Sequence, residues 1–113
     1  MIEVKPSSNA KNYGFEEKNT TLELTENGTA LGAISISTDS MQHILYIHAL
    51  CCEDKVLADF LVRSAAAYGD NRYCLEIVCL DKENDNIYSA LGFSQKDQKL
   101  TLPVSNIVHK TLN

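Results

Sequence analysis

At 113 residues the chain has room for one domain built on one hydrophobic core. A net charge of −5 argues against a nucleic-acid partner, because phosphate binding is driven by Lys and Arg. No apolar run approaches the roughly 20 residues that cross a bilayer, and no apolar stretch follows the charged start Met1-Ile2-Glu3-Val4-Lys5, so a cytoplasmic protein without membrane attachment is expected. Cys51, Cys52, Cys74 and Cys79 show no CxxC spacing, so no metal site is expected. In a reducing compartment they serve as small buried hydrophobes.

In chain order, residues 2–5 form a short strand that Pro6 should stop. Residues 7–18 are polar and read as a loop or a single helical turn, anchored by Tyr13 and Phe15. Residues 20–25 (TTLELT) alternate as a half-buried strand does. Asn27-Gly28 is a strong hairpin signal, because a type I′ turn needs positive φ at both central residues. Residues 30–38 return, and residues 44–51 (ILYIHALC) are nearly all apolar, as in a strand buried on both faces. These three strands make an antiparallel meander. A helix over 54–68 follows, with Val56, Leu57, Phe60, Leu61, Ala65 and Tyr68 at spacings of three and four and Gly69 as a left-handed cap. Residues 73–80 (YCLEIVCL) give a second core strand. Strand, helix and strand form a right-handed crossover with parallel strands. Residues 81–85 turn, and 86–91 form a short helix capped by Asn84 or Asp85 and ended by Gly92. A strand starts at Phe93, bends out over the polar residues 94–99 and breaks at Pro103. Residues 106–112 close a C-terminal hairpin. The sum is a single α/β domain with a mixed sheet.

Three stretches carry a resemblance: ILYIHALCC, VLADFLVRSAAAYG and the run Ile87-Tyr88-Ser89-Ala90-Leu91-Gly92-Phe93. Their order resembles the GCN5-related N-acetyltransferase (GNAT) family over residues 29–112. The last run looks like the family's YxxLGF helix ending, and residues 107–112 are similar to its final strand. The resemblance implies a GNAT-like fold whose two parallel strands splay apart, with acetyl-CoA as co-substrate and its pantetheine arm in the gap. It implies a small-molecule or peptide amine as acceptor. By the same resemblance Tyr88 is the general acid for the leaving thiolate. Leu50, Cys51 and Cys52 hold the thioester, Lys55 and Val56 sit at the cofactor turn, and Asn84 contacts the cofactor arm.

The base is drawn from residue chemistry. His48 titrates near neutral pH and lies in the first core strand, where strict alternation puts it on one face with Tyr46 and Leu50. Glu76 could draw an amine proton through water. Plainer roles stand beside these. His48 can be satisfied by Tyr46 or backbone, Glu76 can pair with Arg63 or Arg72, Asn84 can cap a helix, and Tyr88 can pack with its hydroxyl at the surface. His43 and His109 carry no signal.

Two departures from the family matter. Its pyrophosphate turn uses glycine and a bare helix N-terminus. Here the turn is Cys52-Glu53-Asp54-Lys55, short, without glycine and acidic. A carboxylate about 4 Å from a phosphate charge costs roughly 1–4 kcal/mol. Secondly, residues 7–19 are too short for two front helices of about 11 residues each. The acceptor pocket is therefore reduced or completed by another chain, and a homodimer is expected. Two functions follow: amine acetylation, or a GNAT-like binding or structural module that has lost the transfer chemistry. Open backbone N–H groups at residues 52–56 favour the first, and a cleft filled by side chains favours the second.

Overall fold

The computed structural model describes residues 1–108. One seven-stranded sheet organises them, in the order β1-β2-β3-β4-β5-β7-β6. The strands are β1 (Ile2–Ser7), β2 (Thr20–Glu26), β3 (Thr29–Asp39), β4 (Ile44–Cys52), β5 (Glu76–Cys79), β6 (Ser94–Lys96) and β7 (Lys99–Pro103). Helix α1 (Lys55–Asp70) joins β4 to β5, and α2 (Asp85–Ala90) follows β5. Only β4 and β5 pair in parallel; the other neighbours are antiparallel.

β1 runs through Pro6 instead of stopping there. It is an edge strand, where a missing N–H costs no ladder bond. Asn27 (φ 51°) and Gly28 (φ 85°) make the expected type I′ turn between β2 and β3. Between β1 and β2 there is only a one-turn 3-10 helix, Ala10–Tyr13. Glu23 pins that segment, accepting hydrogen bonds from the Tyr13 hydroxyl, Ser7 Oγ (3.1 Å) and Asn9 Nδ2 (3.2 Å).

A bulge shapes β4. Ser35 pairs with Ala49 and Ile36 with Ile47, which leaves His48 as the extra residue. Strict alternation therefore fails at this point. Leu45, Ile47 and Leu50 all join the buried core, whereas Tyr46 and His48 stay half-buried. His48 does not share a face with Leu50.

Helix α1 presents Ala58, Leu61, Val62, Ala65, Ala66 and Gly69 to the core. The expected stripe was rotated from this: Val56 is 76% exposed and Phe60 43% exposed. Both stripes obey helical spacing, but the alanine-rich one lets the helix lie close to the sheet, and close packing decides between them. Gly69 is likewise corrected. It sits inside the helix, and a Cβ there would lie 3.3 Å from Leu45 Cβ and 3.4 Å from Cys74 Cβ. The cap is Asn71 in right-handed conformation, and the left-handed residue is Tyr73 (φ 63°).

β5 is confined to four residues, from Ile44↔Glu76 to Ile47↔Cys79 in register with β4. The C-terminal hairpin turns at Asp97 (φ 52°) and Gln98 (φ 66°), so both of its strands lie within the stretch expected to form one. Two non-glycine residues adopt the geometry that Asn-Gly signals more openly. Val104–Asn106 is a 3-10 turn, which corrects the start of the expected closing strand; the remainder of that strand, from His109 on, lies outside the described residues. Val104 and Ile107 are buried.

Candidate functional site

The site begins where β4 and β5 part. Leu80 N donates to Ile47 O at 2.8 Å, and beyond this link β4 runs on to Cys52 with no strand on that side. Glu53 and Lys55 at the start of α1 and residues 82–87 before and within α2 bound a cleft of about 350 Å³.

A polar bridge crosses its base. Asn84 Nδ2 donates to Leu50 O at 3.1 Å and to Asp81 Oδ2 at 2.7 Å. Tyr88 Oη donates to the same Asp81 oxygen at 2.8 Å, and Glu83 N donates to Asp81 Oδ1 at 3.0 Å. Asp81 is buried, so these donors replace the water it has lost. The sequence reading missed Asp81. Its bond to the backbone two residues on is an Asx turn, a signal present in Asp81-Lys82-Glu83. Asn84 is the N-cap residue of α2 by position, yet its side chain makes no cap bond and spans to β4 instead.

Tyr88 is fully buried, packed edge-on to Phe93 with centroids 5.4 Å apart. Its hydroxyl is therefore not at the surface and does not line the cleft. Burial raises its pKa, and Cys79 and the Asp81 carboxylate raise it further.

The positive end of α1 is already occupied. Asp54 is its N-cap, and Oδ1 accepts from Val56 N at 2.8 Å and Leu57 N at 3.2 Å. The Val56 side chain lies on the outer face of the helix. Cys52 and Lys55 line the cleft. Cys51 pairs with Ala33 of β3, is exposed and does not line the cleft, so it is not the buried hydrophobe expected. Cys52 is half-buried, and burial pushes its thiol up, away from a reactive thiolate.

On the other side of β4, His48 follows the last residue paired with β5. Its Nε2 is hydrogen-bonded to Ser37 Oγ at 2.7 Å, and its ring lies 6.4 Å from that of Tyr46. Burial lowers its pKa; Glu16 opposes this and Lys18 adds to it. The neutral, proton-accepting form is thereby favoured. Glu76 lies apart. It pairs with Ile44, three residues and about 10 Å from where the strands part, and lines a separate cleft with Tyr46, Lys96 and Lys99. Neither expected arginine partner reaches it: Arg63 bonds Asp59, and Arg72 stacks 3.5 Å over the Tyr68 ring. Among the described residues no His, Cys, Asp and Glu cluster could hold a metal ion, and no helix is long and apolar enough to cross a membrane.

No protein-family model matches the sequence, and no curated protein does. Solved structures match over most of the chain. The ribosomal-protein-S18-alanine N-acetyltransferase from Escherichia coli is 12% identical, with a TM-score of 0.68 over 100% of this chain and 99% of that one. A Desulfovibrio desulfuricans protein described as a GNAT-family acetyltransferase is 8% identical, with a TM-score of 0.70 over 92% and 99%. A chain of the NatC complex bound to Gag peptide and CoA is 23% identical, with a TM-score of 0.59 over 74% and 70%. The chain has the GNAT fold. At these identities the likeness concerns the backbone, and site residues must be judged by position. Cys52, Lys55 and Asn84 meet around the cleft of this GNAT fold, and Leu50 joins them through its carbonyl. His48 stands beside the parting strands, Tyr88 lies beneath, and Cys51, Val56 and Glu76 lie elsewhere.

Proposed function

We propose that the chain is an N-acetyltransferase that takes its acetyl group from a CoA-type thioester, held in the cleft between β4 and β5, and passes it to an amine beside His48. One observation carries this reading. The strands part at the residue next to a histidine that is favoured neutral and oriented by Ser37. Acetyl-CoA fits in part. Its uncharged arm suits the cleft volume and the stretch of β4 beyond Ile47 that lacks a strand partner. Its diphosphate does not suit the acidic wall and the occupied N–H groups of α1.

When bound, the thioester supplies an activated acyl carbon. His48 accepts the proton that the amine loses as the C–N bond forms, and the C–S bond breaks with its electron pair on sulfur. The proton then passes to the departing thiolate through His48 or solvent. Alignment of amine and thioester between the parted strands supplies most of the acceleration. Tyr88 enters only if its hydroxyl leaves Asp81, and the reading does not require it. A panel of amines assayed with His48→Gln tests the assignment: turnover should fall about 10²- to 10⁴-fold. Unchanged turnover removes His48 as base.

A second reading has its own support. Asp54 and Asn84 occupy groups that a bound cofactor would use, as expected of a GNAT-like module without transfer chemistry. Calorimetric titration with acetyl-CoA and CoA separates the two; absence of binding by either, with no turnover of any amine, favours the module. A cytoplasmic location and a homodimer remain part of the proposal. A monomer mass by light scattering at high concentration would remove the dimer.

A further inference from the structure

Resting on the acetyl-transfer reading, we infer that the cleft recognises its donor by the neutral pantetheine arm alone, and that a nucleotide diphosphate adds no affinity. Four observations on different elements converge. The N–H groups of Val56 and Leu57, the second and third residues of α1, point at Asp54 Oδ1, so the helix end that would meet an anion holds a carboxylate from its own chain. The connection from β4 to α1 is Glu53 and Asp54, with no glycine to let backbone approach a phosphate. The cleft wall sets Glu53, Glu83 and Asp85 against Lys55 and Lys82. Of the two lysines, Lys82 donates across to Gln98 O at 3.4 Å, on the β6–β7 turn. A diphosphate placed here meets more negative than positive charge.

The arm side of the cleft has the opposite character. The edge of β4 beyond Ile47 lacks a strand partner, Asn84 crosses to it at the Leu50 carbonyl, and Cys52 and Ile87 line the same cleft. Amide groups along an uncharged chain suit this wall as a neighbouring strand would. The donor class is therefore a pantetheine thioester without the nucleotide.

The test is calorimetric titration of the full chain with acetyl-pantetheine, acetyl-phosphopantetheine and acetyl-CoA at low and high salt. The three dissociation constants should agree within about tenfold, one step of the affinity scale, and acetyl-pantetheine binding should not respond to salt. Acetyl-CoA binding more than about tenfold tighter than acetyl-pantetheine overturns the inference and leaves acetyl transfer standing. Binding by none of the three removes the acetyl-transfer reading itself. The pair Glu53→Gln and Asp54→Asn gives a second readout, since Asn still caps a helix. It should tighten acetyl-CoA several-fold and leave acetyl-pantetheine unchanged; tightening both equally, or neither, contradicts the charge argument.

Discussion

Asp81 holds the cleft floor together. Its carboxylate receives Tyr88, Asn84 and the Glu83 N–H inside the protein. Tyr88→Phe removes one donor and leaves a buried carboxylate less satisfied, which should destabilise the fold by about 1–3 kcal/mol in urea denaturation. If turnover then changes no more than a few-fold, the tyrosine is a structural anchor; a large loss at unchanged stability restores it as the general acid. His48 makes a prediction about pH. Its folded pKa lies below its ordinary value of 6.5, so the neutral form is the one the fold prefers. The stability it contributes is present above pH 6.5 and is lost as pH falls through the folded pKa. The basic form should likewise give turnover that rises with pH to a plateau, with the rising limb below pH 6.5. A limb centred above 6.5 contradicts this.

At the scale of elements, α1 and the β3–β4 pair carry the sharpest tests. Leu61 is fully buried against the sheet, whereas Phe60 is 43% exposed. Leu61→Ala should cost about 2–5 kcal/mol, and Phe60→Ser about 0.5 kcal/mol or less. Equal costs would mean that the helix uses the stripe expected from spacing. Gly32 stands opposite Cys52, and a Cβ there would lie 2.8 Å from Cys52 Sγ and 2.9 Å from Cys51 O. Backbone cannot yield as a flexible side chain can, so Gly32→Ala should cost about 1–3 kcal/mol and displace the edge of β4 that borders the cleft. Loss of stability with unchanged donor affinity would separate the packing effect from the site.

Across the whole molecule the sheet divides labour. Helices α1 and α2 flank the parted strands, while the front carries a 3-10 turn pinned to Glu23. The front face near His48 is therefore less enclosed than a two-helix front would make it. A reduced front should accept amines of varied size, with weak discrimination between acceptors. An assay over amines from methylamine to peptides checks this: differences in kcat/KM above about 10³-fold would imply a pocket completed by another chain.

The order and type of most elements were legible because they rest on local chemistry: alternation in β2, Asn27-Gly28, the apolar run of β4 and the strand–helix–strand spacing. The likeness to GNAT rested on the same order. Contacts between distant residues decided the rest. The bulge at His48 changed which β4 residues share a face, because pairing with β3 sets register. The packing of Leu45 and Cys74 against Gly69 turned a supposed cap into an interior glycine. Only the fold brought Asn84 to Leu50, a bond that joins opposite sides of the cleft, and buried the Tyr88 hydroxyl against Asp81. Glu76 and His48 looked equally eligible along the chain, and strand register separated them. Sequence therefore determined the elements, through propensities acting over a few residues, and tertiary structure decided the site, where burial and hydrogen bonding depend on what the fold places opposite.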